Sequence, residues 1–189
     1  MNKRKKQNRI ISIVAGIGVV LILTVAWFAS KEFRFKSYKN SVYDFSIKYP
    51  ASWVFKENIK GAVVIFYSPL ENDLDYFMES VNVVVQDISR KPMKLKAYSE
   101  LAITQMEAVF GENMAIFESE PDFIADQSGY KFVFSGKGPE GELKYMSVWT
   151  IKGTSAYQVT YTSLASQYDR YISKVKRMFR SFRIKPIPG

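Results

Sequence analysis

The sequence predicts an α+β layered domain preceded by one N-terminal transmembrane helix. Short runs of alternating or β-branched residues, and two segments whose apolar residues recur at helical spacing, predict the layered domain. A 19-residue run without charge, residues 10–28, predicts the transmembrane helix. The chain of 189 residues has no Cys and no His. Disulfides, thiolate nucleophiles, Cys/His zinc sites and imidazole bases are therefore excluded.

The net charge of +9 is concentrated at one end of the chain. Residues 1–39 contain nine basic residues and one acidic residue, whereas residues 40–189 contain 18 basic and 17 acidic residues. The excess positive charge therefore flanks the apolar run and leaves the rest of the chain nearly neutral. This distribution argues against nucleic acid as a partner.

The apolar run 10–28 is interpreted as an uncleaved signal anchor that holds the protein in the cell membrane. A helix of that length would measure about 28 Å, close to the thickness of a bilayer core. Cleavage after Ala29 would place Trp27 at the −3 position, where a signal peptide needs a small residue. The positive-inside rule then predicts a cytoplasmic basic tail (1–9), a charged tether (29–39) and an extracytoplasmic domain (40–189).

Strand signals recur through the predicted domain. They fall at residues 45–49, 53–57, 62–68, 81–86, 131–135, 144–151 and 156–163, with weaker signals at 115–120 and 182–184. Turn residues between several of these runs leave only short connections. Short connections favour antiparallel pairing, so we expect an antiparallel sheet.

Two amphipathic helices complete the predicted domain. Apolar residues between Leu95 and Phe110 form one stripe that ends at Gly111. A second stripe begins at Tyr168 and reaches Phe182, with Ser166 as the expected N-cap.

The order of several short motifs resembles that of the bacterial PsbP-like domains, which are related to the photosystem II subunit PsbP and to DcrB-like periplasmic proteins. The motifs are Tyr43-Asp-Phe-Ser-Ile-Lys-Tyr-Pro50 with Trp53, Phe66-Tyr-Ser-Pro69, residues 79–86, residues 149–153 with Ala156-Tyr157, and residues 168–182. The resemblance covers residues 40–189 and implies an α-β-α sandwich around an antiparallel sheet. It also implies an exported, membrane-tethered protein. The chain lacks the lipid-bearing Cys of many relatives and the His that photosynthetic members use at metal sites.

Two sequence matches to catalytic or nucleotide-binding motifs are interpreted as structural. Residues 136–141 match G-x-G-x-x-G, but they lie between two predicted strands and contain Pro139, as in a hairpin turn. Ser128 and Lys131 match S-x-x-K, but on a strand this spacing directs the two side chains to opposite faces.

The segment 71–79 is the candidate metal site. Its carboxylates are those of Glu71, Asp73, Asp75 and Glu79, and oxygen ligands of this kind suit Ca²⁺. The segment lacks the spacing and central Gly of an EF-hand loop, so a solvated loop is the alternative. No other cofactor is expected.

The last predicted helix is the candidate binding surface. Its basic residues are Arg170, Lys174, Lys176, Arg177 and Arg180, opposed by Asp169. Such a face suits anionic lipid headgroups or an acidic protein partner. A solvated helix whose cations complement the helix dipole is the alternative.

The sequence thus predicts a non-catalytic, membrane-anchored binding or scaffold module that supports a membrane or envelope protein complex. Two alternatives stay open. One is an envelope protein that binds an ion or small ligand, with Ca²⁺ at the acidic loop. The other is a carboxylate-dependent enzyme, for which no paired constellation of side chains is found.

Overall fold

The computed structural model describes residues 34–72 and 75–185, and the elements within them follow the predicted order. The strands and helices are β1 (Phe35–Asn40), β2 (Phe45–Pro50), β3 (Val54–Ile59), β4 (Ala62–Tyr67), β5 (Ser80–Asp87), α1 (Leu95–Phe110), β6 (Ala115–Ile124), β7 (Gln127–Gly138), β8 (Gly141–Lys152), β9 (Ser155–Leu164), α2 (Tyr168–Ser181) and β10 (Arg183–Ile184).

Seven of the strands form one antiparallel sheet in the order β3-β4-β5-β9-β8-β7-β6. Strands β6 to β9 are sequential neighbours joined by short turns, which confirms the predicted antiparallel pairing. Strands β7 and β8 each have 12 residues, so both extend beyond their predicted bounds.

A second, three-stranded antiparallel sheet has the order β1-β2-β10. Strand β1 was not predicted, and the charged tether expected at 29–39 overlaps it. Lys36 and Lys39 are exposed, while Tyr38 between them is 7% exposed and packs into the core. A six-residue strand with so little apolar content resembles a charged linker, and only its pairing with β2 makes it part of the domain.

The two helices cover opposite faces of the seven-stranded sheet. Val133 and Val148 belong to the core that includes α2 and the three-stranded sheet, whereas their neighbours Phe132 and Trp149 belong to the core beneath α1. Successive strand residues point to opposite faces, so the two cores lie on the two sides of the sheet. The predicted layered α+β arrangement is confirmed, with the three-stranded sheet as an addition to the α2 layer.

The predicted end of α1 and the predicted start of α2 at Tyr168 are right, whereas the predicted N-cap of α2 is wrong. Gly111, with φ of +53°, ends α1 as expected. Ser166, however, lies within the 3₁₀ turn Ala165–Gln167, and the residue before α2 is Gln167, which makes no side-chain cap hydrogen bond. Five buried apolar side chains of α2 supply the packing that holds this helix in place.

The predicted transmembrane helix, residues 10–28, lies outside the described residues. Within 34–72 and 75–185, no helix is long and apolar enough to cross a bilayer.

Candidate functional site

The acidic loop between β4 and β5 runs past the start of α2. There Glu71 forms an ion pair with Arg170 and accepts a hydrogen bond from the Tyr171 hydroxyl at 3.1 Å. Asp75 accepts hydrogen bonds from the backbone N–H groups of Glu71, at 2.9 Å, and Phe77, at 3.2 Å. Both carboxylates are therefore engaged by groups of the protein itself.

Glu79, at the end of the acidic loop, is a buried carboxyl group. Its exposed fraction is 4%, and its Oε2 accepts a hydrogen bond from the Ser68 hydroxyl at 2.9 Å. Burial raises the pKa of Glu79 above its ordinary value, and the negative charges of Asp75 and Glu71 add to this rise. Burial likewise raises the pKa of Tyr171, and the hydrogen bond that its hydroxyl donates to Glu71 adds to the effect.

The structure brings together three of the four predicted metal ligands around one cavity of about 380 Å³ that Glu71, Asp75, Glu79 and Arg170 line. The fourth, Asp73, lies outside the described residues. Across the described parts of the chain, no group of three or more acidic side chains is placed to hold a metal ion. A cation here would compete with the Arg170 guanidinium for Glu71. The calcium hypothesis stays a prediction.

The predicted basic residues all lie on α2, away from its buried stripe. Arg170 is committed to Glu71, and the Lys174 ammonium lies 5.3 Å from the centre of the Tyr171 ring. The Arg177 guanidinium lies 4.2 Å from the centre of the Phe35 ring on β1. These contacts orient three of the five cations.

The two remaining cations, Lys176 and Arg180, are exposed. They line a cavity of about 200 Å³ between α2 and the hairpin of β6 and β7, together with Lys131 and Ile124. The structure thus places all five predicted basic side chains on one helix surface.

The two motifs interpreted as structural have structural roles. Residues 136–141 form the β7–β8 hairpin, with Gly138 paired to Gly141. Lys131 lies 2.6 Å from carboxylate oxygens of both Glu118 and Glu120, and these hydrogen bonds raise the pKa of its ammonium group. A lysine held in its charged form is not a general base, so the S-x-x-K match has no Ser/Lys chemistry.

An apolar groove of about 480 Å³ lies between α1 and the β6–β7 hairpin and is named here the α1–β6 groove. Its apolar wall consists of Leu95, Ile103, Pro121, Phe123 and Tyr130. Phe123 is 79% exposed, an unusual state for a phenylalanine in a structured strand. The polar residues of its rim are Lys96, Glu100, Asp122 and Ser128.

A rigid wall supports the α1–β6 groove. Ser99, which lines it, accepts a hydrogen bond from the indole N–H of the fully buried Trp149 at 2.8 Å and donates one to the Leu95 carbonyl. Gly129 lines it as well, and a Cβ there would lie 2.8 Å from the Trp149 carbonyl oxygen. The groove wall is therefore preformed, because contacts within the protein hold it in place.

The groove opens at the free edge of the seven-stranded sheet, where β6 pairs only with β7. Pro121 lies in this edge strand and has no N–H to offer, and Glu118 and Glu120 add negative charge to the strand. These residues oppose unspecific strand pairing at the edge while leaving Phe123 accessible.

Sequence reasoning missed the α1–β6 groove. The sequence predicts a weak strand at 115–120 and assigns no role to Phe123. The groove arises from the register between β6 and β7, which includes a shift between Ile116 and Glu118, and no local pattern reveals that shift. The Pro at position 121 within a strand was the one available signal of an edge.

Comparison with known proteins matches the described domain to one family. The family model named PsbP matches residues 33–184. This match begins before the predicted domain boundary at residue 40 and includes β1. No curated protein matches the chain in sequence.

Solved structures of low sequence identity share the fold. Cyanobacterial PsbP (CyanoP) of Synechocystis sp. PCC 6803 has 14% identity and a TM-score of 0.60, over 80% of this chain and 92% of that one. LpqN of Mycobacterium tuberculosis, involved in cell envelope biogenesis, has 7% identity and a TM-score of 0.57, over 81% and 91%. The Ran-binding protein Mog1p of Saccharomyces cerevisiae has 10% identity and a TM-score of 0.55, over 80% and 95%.

Proposed function

This chain belongs to the PsbP family, and we propose that it is a non-catalytic binding module that supports a membrane or envelope protein complex. In this proposal residues 10–28 anchor it in the cell membrane, and the domain lies outside the cytoplasm. Sequence supports the anchor, since the apolar run has basic residues on both sides. The descriptions of LpqN as involved in cell envelope biogenesis and of Mog1p as a Ran-binding protein are compatible with a binding role for the fold.

The α1–β6 groove is the observation that carries the proposal. The groove combines an apolar wall, the exposed side chain of Phe123 and a support that the Trp149–Ser99 hydrogen bond holds in place. These are features of a docking site for an apolar side chain of a protein partner. Its charged rim residues lie at the periphery, where interfaces are usually polar. Ser128 lines this groove whereas Lys131 lines the cavity beside α2, so the two residues do not form a Ser/Lys pair.

Site-specific photo-crosslinking in membranes of the producing cell tests this function. A photoreactive phenylalanine at position 123 is expected to yield a discrete adduct with one protein. Val42, which is also 79% exposed but lies in the turn between β1 and β2, provides the matched control position. An Ile103→Glu substitution, which places a charge in the groove, is expected to abolish the adduct at position 123.

The proposed function is contradicted if positions 123 and 42 give the same adducts, or if Ile103→Glu leaves the adduct unchanged. A circular-dichroism melt of Ile103→Glu shows whether the domain is still folded. If that variant unfolds, the partly exposed rim residue Asp122 replaces it, as Asp122→Arg, with the same expected loss.

A further inference from the structure

We propose that the α1–β6 groove receives an amphipathic helix of the partner protein, whose apolar stripe lies in the groove and whose basic side chains lie along its borders. The inference rests on the proposed function, because it names the kind of segment that docks at the same site. The length of the groove, the blocked edge of β6 and the charges beside the groove support it.

The apolar surface of the groove continues along β6 as far as Ile116. Cross-strand neighbours lie on the same face of a sheet, and Ile116 pairs with Phe134 of the core beneath α1. Ile116 is therefore on the α1 side of β6, together with the groove residues Pro121 and Phe123, and it is 51% exposed. The strand from Ile116 to Phe123, shortened by the bulge, spans about 20 Å. An α-helix of about 13 residues has this length.

One flank of α1 forms the opposite border over a similar length. Lys96, Glu100 and Ile103 line the groove, and Glu107 follows Ile103 by one helical turn on the same flank. From Lys96 to Glu107 the helix rises about 17 Å. The groove and its continuation therefore form a trough between a helix and a strand. This trough is long enough for about three turns of a partner helix that presents apolar residues at i, i+3 or i+4, and i+7.

The edge of β6 is blocked against the alternative occupant, an extended segment that would add a strand to the sheet. Pro121 has no N–H, and the Asp122 carboxylate already accepts a hydrogen bond from the Phe123 N–H at 2.8 Å. A register shift between Ile116 and Glu118 interrupts the edge further along. Strand addition depends on main-chain hydrogen bonds, so an occupant of this groove must bind through its side chains, as a helix does.

The borders of the trough carry more negative than positive charge. Their acidic residues are Glu100, Glu107 and Asp122, whereas Lys96 is the one basic residue among the described residues that line the groove. Within 34–72 and 75–185, neither Glu100 nor Glu107 takes part in an ion pair. Lys131 lines the cavity on the α2 side instead. Charge complementarity therefore favours a partner helix with basic residues beside its apolar stripe.

Mapped photo-crosslinking of the full chain in membranes of the producing cell tests the shape of the occupant. A photoreactive phenylalanine is placed singly at positions 116 and 123, and mass spectrometry identifies the crosslinked residue of the partner in each adduct. A helix rises about 1.5 Å per residue, so we expect the two crosslinked residues to lie about 13 positions apart. An extended segment rises about 3.3 Å per residue and would place them about six positions apart.

A charge-reversed variant tests for basic residues in the occupant. Glu100→Lys/Glu107→Lys is expected to lower the adduct yield at position 123 about fivefold, because attractions across the groove border become repulsions. The matched control Glu140→Lys/Asp169→Lys makes the same change of charge at exposed positions elsewhere and is expected to keep the yield. Circular-dichroism melts check that both variants are folded. If the charge reversal unfolds the domain, Glu100→Gln/Glu107→Gln replaces it, with an expected loss of about twofold.

The outcomes separate this inference from the proposed function. Crosslinked residues about six positions apart, an adduct of two copies of this chain, or equal yields in the charge-reversed variant and its control overturn the basic amphipathic helix. A discrete adduct at position 123 that maps to an extended segment of another protein still supports the proposed function. Identical adducts at positions 123 and 42 contradict the proposed function, and the helix proposal then falls with it.

Discussion

Glu79 has a side-chain carboxyl group whose buried environment disfavours the ionised form. It lies in the core beside β4, and its hydrogen bond from Ser68 offsets only part of the effect of burial. The folded-state pKa is therefore above that of the unfolded chain. Between these two pKa values the folded protein binds more protons, so the free energy of unfolding falls as pH rises through that interval.

A Glu79→Gln substitution is expected to raise the free energy of unfolding at pH 7, because the amide keeps the size and the acceptor oxygen but carries no charge. The gain should shrink as pH falls through the raised folded-state pKa of Glu79 and disappear below the pKa of the unfolded chain, where both states carry the protonated carboxyl group. Urea unfolding at several pH values measures it. Glu112→Gln, at an exposed position, serves as the control, and a gain of the same size there would contradict the assignment.

At the scale of the elements, a buried polar contact adds to the apolar packing of α1 on the sheet. The Trp149 indole N–H on β8 reaches the Ser99 hydroxyl on α1 at 2.8 Å, and both residues are buried. This contact aligns the helix with the β6–β7 hairpin and therefore shapes the α1–β6 groove. The apolar stripe of α1 alone would permit the helix to slide along the sheet.

A Ser99→Ala substitution leaves the buried Trp149 N–H without its acceptor and should cost about 1–3 kcal/mol of unfolding free energy. Urea denaturation of the variant and the wild type measures this cost. Thr104→Ala removes an exposed hydroxyl from the same helix and should be neutral or slightly stabilising. Equal losses of unfolding free energy in the two variants would contradict the assigned role of the Ser99 hydroxyl as the acceptor for Trp149.

For the whole molecule, β1 joins the part of the chain nearest the apolar run to the core. The Tyr38 ring lies 5.9 Å from that of Phe45 and 5.7 Å from that of Phe66, which places it between the two sheets. Strand β1 therefore connects the two sheets of the domain.

A chain that begins at Ser41 should be less stable than one that begins at Arg34 by about 2 kcal/mol or more, because it lacks the buried ring of Tyr38 and the pairing with β2. Denaturant unfolding of both chains checks this prediction. A third chain, with seven flexible Gly/Ser residues before Ser41, controls for chain length. If the two chains have equal stability, residues 35–40 act only as a tether.

Periodicity was sufficient to predict most elements. The helices 95–110 and 168–181 and the strands β2 to β9 follow from apolar spacing and turn residues, since these patterns depend on local geometry alone. The same reasoning placed the acidic loop between two strands and the five basic residues on the last helix. Local patterns did not predict strand β1 or the cap of α2, because long-range packing determines both.

The sequence by itself determined the α+β class, the order of elements and the separation of positive charge from the nearly neutral domain, because composition and spacing are properties of the chain. Tertiary structure alone decided that Glu71 pairs with Arg170, that Phe35 lies against Arg177, and that Phe123 borders a groove. These contacts join residues separated by many positions, and strand register and helix docking bring them together. The candidate sites therefore depend on the tertiary structure, whereas the strands and helices that carry them can be predicted from the sequence.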